Sequence, residues 1–140
     1  MTASREFAAA AAFGERVRGR ALVASDGFSA RYDLDRKAGT FSRPEHKLFG
    51  RSYVGHILVL DRAKGGVATA WMLHEMRARG VLPAALVLNT VNPIMVQGAA
   101  FAGLTLMSGF AEDITVCVPD GALVELDPAA PRPVLRVLSA

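Results

Sequence analysis

Lys64, Gly65, Gly66 and Thr69 are the residues whose types and spacing best suit chemistry, because they gather where an apolar strand would hand over to a helix. Residues 56–60 form a largely aliphatic run that reads as a buried strand. Residues 61–66 form a turn with two glycines, and residues 67–79 carry a helical periodicity that Gly80 closes. The end of a parallel strand feeding a helix N-terminus exposes backbone N–H groups to a bound anion, and the helix dipole favours negative charge there. Lys64 would add a cation beside them. Thr69 falls in the first helical turn, where a hydroxyl either caps the helix or faces a ligand. The same spacing also describes a plain strand-to-helix turn. It is neither a Walker motif, which needs a longer loop ending in Lys-Ser/Thr, nor the dinucleotide fingerprint.

Other candidates are weaker. His46 stands in a polar bend after Pro44, a setting that exposes most histidines but also lets some line a site. Asn89, Asn92 and Gln97 follow a second apolar run, where an α/β fold places its ligand crevice, and their amides could equally satisfy loop backbone. Glu75 and Arg79 read as an exposed i,i+4 pair beside a solvated His74, and Met72, Met76, Met95 and Met107 as packing. Cys117 is the sole cysteine, so no internal disulfide forms and the chain by itself holds neither an iron–sulfur cluster nor a thiolate zinc site; it reads as a small core residue in an apolar strand. No Ser/His/Asp set, carboxylate pair or histidine cluster stands out, and no complete active site is defined.

The elements that must position these residues follow from length and pattern. At 140 residues, 51% hydrophobic and 21% charged, the chain suits one globular domain with a core of its own. The net charge of +3 comes from scattered arginines rather than a basic face, which argues against nucleic-acid binding. No run has the length of a membrane span or the form of a secretory signal, and a cytoplasmic protein is expected. The alanine-rich residues 1–13 read as a helix, within an N-terminal extension of residues 1–15 ahead of a single domain at 16–140. A strand is expected over 16–25 with Val17, Ala21 and Val23 inward, then a hairpin of 31–35 with 39–42. Runs at 56–60, 85–88 and 104–107 suit parallel strands joined through helices at 67–79 and 94–102. Strands at 114–118, 122–126 and 134–138 follow, with a Pro119-Asp120-Gly121 turn. The expected fold is α/β: a small, mostly parallel central sheet with two helices, and a second β layer from the terminal segments.

Three segments carry a resemblance: HKLFGRSYVGHILVLDRAKGG (46–66), the step from Arg79-Gly80 to Pro83-Ala84-Ala85-Leu86-Val87-Leu88, and NPIMVQGAAFAG (92–103). In order and spacing they resemble the swivel domain, or small subunit, of the aconitase X family, over roughly residues 18–107. The resemblance implies a swivelling β/β/α domain that docks over a much larger subunit. That partner would carry the iron or iron–sulfur group and most catalytic residues; members are hydro-lyases such as cis-3-hydroxy-L-proline and phosphomevalonate dehydratases. The reading built on it has no cofactor or metal in this chain, a small anionic hydroxy acid as substrate, Lys64 and Thr69 as catalytic residues of a divergent subgroup unless substrate and chemistry differ, and Gly65, Gly66, His46 and Asn92 as substrate-binding residues. The family's turn typically carries a serine assigned as catalytic base where this chain has Gly66, while Lys64 occupies the place of the family's basic residue. A Gly-Gly-Val-Asp segment of the family is Ala30-Arg31-Tyr32-Asp33 here. The alternative reading is a non-catalytic swivel module that binds an anionic metabolite or shapes a partner's cleft.

Overall fold

In the computed structural model the chain runs through β1 (Arg5–Phe13), β2 (Val17–Val23), the short pair β3 (Leu34–Asp35) and β4 (Thr40–Phe41), β5 (Ile57–Arg62), α1 (Val67–Arg79) and β6 (Ala85–Thr90). It continues through α2 (Pro93–Phe101), β7 (Thr105–Phe110), α3 (Ile114–Cys117), β8 (Leu123–Asp127) and β9 (Val134–Ser139). The structure describes residues 5–64 and 67–139, with the backbone alone at Val67 and Thr69.

Strands β2, β5, β6 and β7 are parallel neighbours, since the connections between consecutive members carry helices or a long excursion rather than a tight turn. Their side chains alternate between two cores. On β5, Ile57 and Val59 point into one cluster while Leu58 and Leu60 enter the other; on β6, Ala85 and Val87 alternate in the same way with Leu86 and Leu88. The Leu58/Leu60 side is covered by α1 and α2 through Leu73, Met76, Met95 and Ala99. The Ile57/Val59 side faces Val124, Leu126 and Leu135 of the antiparallel strands. Continuous aliphatic runs thus mark strands buried on both faces, as expected. Ala21 is buried on the second side with Val17 and Val23 packed against it, also as expected.

The sheet is larger than expected and has no free edge. Among the described residues seven strands close into a barrel in the order β1-β7-β6-β5-β2-β8-β9, with β9 returning to β1. The closing piece is the alanine run, which is not the expected helix but strand β1. It pairs antiparallel with β7 (Ala9 with Phe110, Phe13 with Leu106) and with β9 (Arg5 with Val137, Ala8 with Val134). Helix propensity is a weak local preference, and pairing with two strands outweighs it. Small residues also fit here: a Cβ on Gly109 would stand 2.8 Å from the Ala10 Cβ, so the two backbones meet at close range.

A second correction falls at residues 114–118, expected as a strand and found as the one-turn helix α3. Asp113 caps it, its Oδ1 accepting from the backbone N–H of Thr115 at 3.0 Å and from the Thr115 hydroxyl at 2.6 Å. Cys117 is buried, as expected, but in this helix rather than in a strand. The remaining elements lie close to their expected places, and α1 spans the residues read from the sequence. Gly80 closes it with φ of 73°, the Val81 N–H reaching the Met76 carbonyl at 3.0 Å. No helix among the described residues is long and apolar enough to cross a membrane.

Two expected outcomes test this packing. Helices α1 and α2 touch at Gly98, where a Cβ would stand 2.6 Å from the Ala70 Cα. Gly98→Val should cost about 1–3 kcal/mol in urea denaturation, and an unchanged midpoint would mean the helices do not meet there. Tyr53 is fully buried, its hydroxyl has no hydrogen-bond partner among the described residues, and burial pushes its pKa up to about 12. Tyr53→Phe should therefore leave the melting temperature unchanged or raise it, because the deleted oxygen forfeits no hydrogen bond.

Candidate functional site

Parallel strands end together, and here the C-terminal ends of β2 and β5 carry the polar residues. Beyond β2 the chain continues through Ser25, Asp26 and Gly27 and stays beside the end of β5: Phe28 bridges Ala63, and the Lys64 N–H donates to the Phe28 carbonyl at 2.8 Å. Lys64 is thereby fixed at its backbone. Its aliphatic stem lies across Gly27, where a Cβ would stand 2.5 Å from the lysine Cε. A side chain at Gly27 would displace the lysine stem from this path.

The ammonium end meets Asp33, whose side chain is fully buried. Lys64 Nζ stands 3.5 Å from Asp33 Oδ2, and Arg43 Nε donates to Asp33 Oδ1 at 2.6 Å. The Ser29 N–H donates to Asp33 Oδ2 at 3.0 Å. A buried carboxylate is tolerable only with such partners. The Asp33 hydrogen bond in turn raises the Arg43 pKa. Lys64 keeps 41% of its side chain exposed, so the cation is tethered on one side and open on the other.

His46 holds the same segment from behind. It is not the exposed loop residue that a polar bend suggests: Phe41 stacks on its ring with 4.6 Å between centroids, and the side chain has no exposed surface. The Leu48 N–H donates to Nδ1 at 3.1 Å, which assigns the ring proton to Nε2, and that group donates to the Gly27 carbonyl at 2.8 Å. The ring presents no open face in this chain to the substrate contact expected of it. With both nitrogens engaged and no surface, the ring supports Gly27, over which Lys64 lies.

Asp26 completes the cluster, its Oδ1 accepting from the Gly27 N–H at 2.7 Å and its Oδ2 from the Lys47 N–H at 3.1 Å. Burial works to raise this carboxyl, but those two backbone bonds and the nearby Arg43 charge outweigh it and hold the group below its ordinary 3.8.

Asn92 stands on the same edge, beyond β6, and caps α2: its Oδ1 accepts from the Met95 N–H at 2.8 Å. Asn89 ties β6 to its neighbours, donating to Asp61 at 3.1 Å and to Asp113 at 2.9 Å and accepting from the Ile114 N–H at 2.9 Å. Both amides thus do the loop and cap work that the sequence left open. Thr69 occupies the first turn of α1, but its side chain, like Gly65 and Gly66, lies outside the described residues. Lys64 and His46 are brought together around Asp33, whereas Asn92 belongs to the neighbouring strand end.

Asp26 and Arg43 were not among the sequence candidates, and Asp33 was noted only for the resemblance. A signal existed for Asp26, which follows the end of β2 as Asn92 follows β6, so the strand-end rule applied to one applies to the other. Among the described residues no group of three or more His, Cys, Asp and Glu side chains could hold a metal. Cys117 does not fit an iron ligand: it is buried, and its thiol donates to Glu112 at 3.1 Å.

Known proteins share this fold. A family model described as the aconitase X swivel domain matches residues 6–134. The phosphomevalonate dehydratase small subunit of Methanopyrus kandleri is 32% identical over 114 residues, 81% of this chain and 84% of its own length. That of Methanothrix thermoacetophila is 32% identical over 109 residues, 78% of this chain and 79% of its own. A crystal structure of aconitase X from Thermococcus kodakaraensis shares the fold with a TM-score of 0.87 at 19% identity, over 96% of this chain and 99% of that one.

The Asp26 arrangement predicts a pH signature. A carboxyl whose folded pKa is depressed stabilises the fold above its unfolded pKa and loses that contribution as the pH falls through the folded value. Asp26→Asn should be less stable than the parent near pH 7, and the gap should close below about pH 4. A gap that stays constant in urea denaturation over that range would overturn the assignment.

Proposed function

The chain belongs to the aconitase X swivel domain family, and on that premise we propose that it is the small subunit of a hydro-lyase acting on a small anionic hydroxy acid. Relatives named phosphomevalonate dehydratase small subunit make phosphomevalonate the first substrate to test. The observation that carries the reading is Lys64: an ammonium group pinned by a buried carboxylate yet open to solvent, three residues before α1 begins.

Dehydration removes a proton from one carbon and hydroxide from its neighbour. Lys64 suits the binding and orientation of an anionic group of the substrate beside the N-terminus of α1, with Gly65 and Gly66, outside the described residues, kept as the further substrate-binding candidates. Thr69, in the first turn of that helix, is assigned the hydroxyl contact. Iron or iron–sulfur chemistry belongs to the large partner in this reading, since the residues here do not fit it. A partner also accounts for Trp71, Ile94 and Phe101, which remain exposed around a groove of about 450 Å³ between α1 and α2. Trp71 and Ile94 stand in the first two turns of their helices, next to the edge that carries Lys64.

One observation favours a second reading, the non-catalytic anion-binding module: Gly66 stands where the resemblance expects a catalytic serine. Reconstitution with a large subunit separates the two. Lys64→Ala should lower kcat/KM for phosphomevalonate at least about tenfold, the scale of a lost charged hydrogen bond. Unchanged turnover and affinity in that variant would favour a module that only shapes the partner's cleft.

A further inference from the structure

Resting on the reading that Lys64 contacts the substrate, we propose that Asp33 is the positioning residue of this site, holding the Lys64 ammonium in place from the side opposite the substrate. Three contacts fix the lysine, and all come from one short segment. Its N–H donates to the Phe28 carbonyl, its stem lies across Gly27, and its head pairs with Asp33. A lysine side chain is otherwise mobile about its four-carbon stem.

Asp33 does not need the lysine for its own burial. Arg43 Nε at 2.6 Å and the Ser29 N–H at 3.0 Å already engage its two oxygens. The lysine, by contrast, has no other ion pair among the described residues, and its 3.5 Å separation from Oδ2 directs one face of the ammonium at Asp33. An ammonium carries three donors, so the others remain for a substrate anion. The dependence runs one way, from carboxylate to lysine. Arg43 and His46 stand behind it, the first compensating the Asp33 charge and the second gripping the Gly27 carbonyl.

The test pairs a measurement on the parent chain with a double-mutant cycle. The lysines are Lys37, Lys47 and Lys64, so 15N relaxation of their ammonium groups in the full chain compares them directly. Lys64 should be the most ordered; mobility equal to that of Lys37 and Lys47 would overturn the proposal without any variant. In the reconstituted complex, Asp33→Asn should lower kcat up to about a hundredfold, while inhibition by inorganic phosphate holds or strengthens because the cation loses its paired carboxylate. Added to Lys64→Ala, the same change should have no further effect on kcat. If Asp33→Asn reduces kcat by the same factor in both backgrounds, the aspartate is only structural and the proposal fails. If Lys64→Ala alone leaves turnover intact, the functional reading fails instead, and comparing the Lys64 relaxation in the parent and in Asp33→Asn still reports whether Asp33 orders the lysine.

Discussion

Everything else in this protein depends on the burial of both faces of four parallel strands. Leu58, Leu60, Leu86 and Leu88 on one side and Ile57, Val59, Ala85 and Val87 on the other are removed from water. Each side must therefore be covered by apolar material. The first is closed by α1 and α2, which lie between consecutive strands in the chain. The second is closed by β1, β8 and β9, which curl round until the sheet meets itself. Closure removes the exposed edges that an open sheet of this kind would present. It also leaves the C-terminal ends of the parallel strands, with their loops, as the place where polar side chains collect.

At that edge charge pairing takes over from apolar burial. Asp33 and Asp26 face Arg43 and Lys64, two acids against two bases, with the His46 ring bound to backbone between them. Such a cluster adds little net stability, because taking the charges out of water offsets most of their attraction. What it does supply is geometry, since each charge leaves few arrangements open to the others. Apart from Lys64, which follows β5, the residues come from a single excursion between β2 and β5, with the β3–β4 pair folding Phe41 against His46. A segment that looks like a decorated loop is therefore the scaffold behind Lys64.

Some of this was legible from residue pattern alone. Helix α1 was readable because its period, its preceding glycine turn and its terminal Gly80 agree. The strands β5 and β6 were readable because a run of aliphatic residues too short for a helix and bounded by turn residues suits a parallel strand. The same reasoning failed at residues 5–13, where alanine's local preference points to a helix and pairing with β7 and β9 decides otherwise. It failed at Ile114–Cys117, whose β-branched residues suit a strand until Asp113 caps them into a turn of helix. At His46 a polar neighbourhood suggested exposure, and stacking on Phe41 reversed it.

The sequence by itself determined the α/β class, the strand-turn-helix unit that contains Lys64 and, through the order of three segments, the family. These are set by neighbours within a few residues, where period and turn chemistry act directly. Tertiary structure alone decided that the sheet closes and that Lys64 meets a carboxylate 31 residues earlier in the chain. Barrel closure joins residues as distant as Arg5 and Val137, and no local preference encodes such a partner. Only the packing of the whole chain brings the barrel edges together and aligns Asp33 with the end of β5.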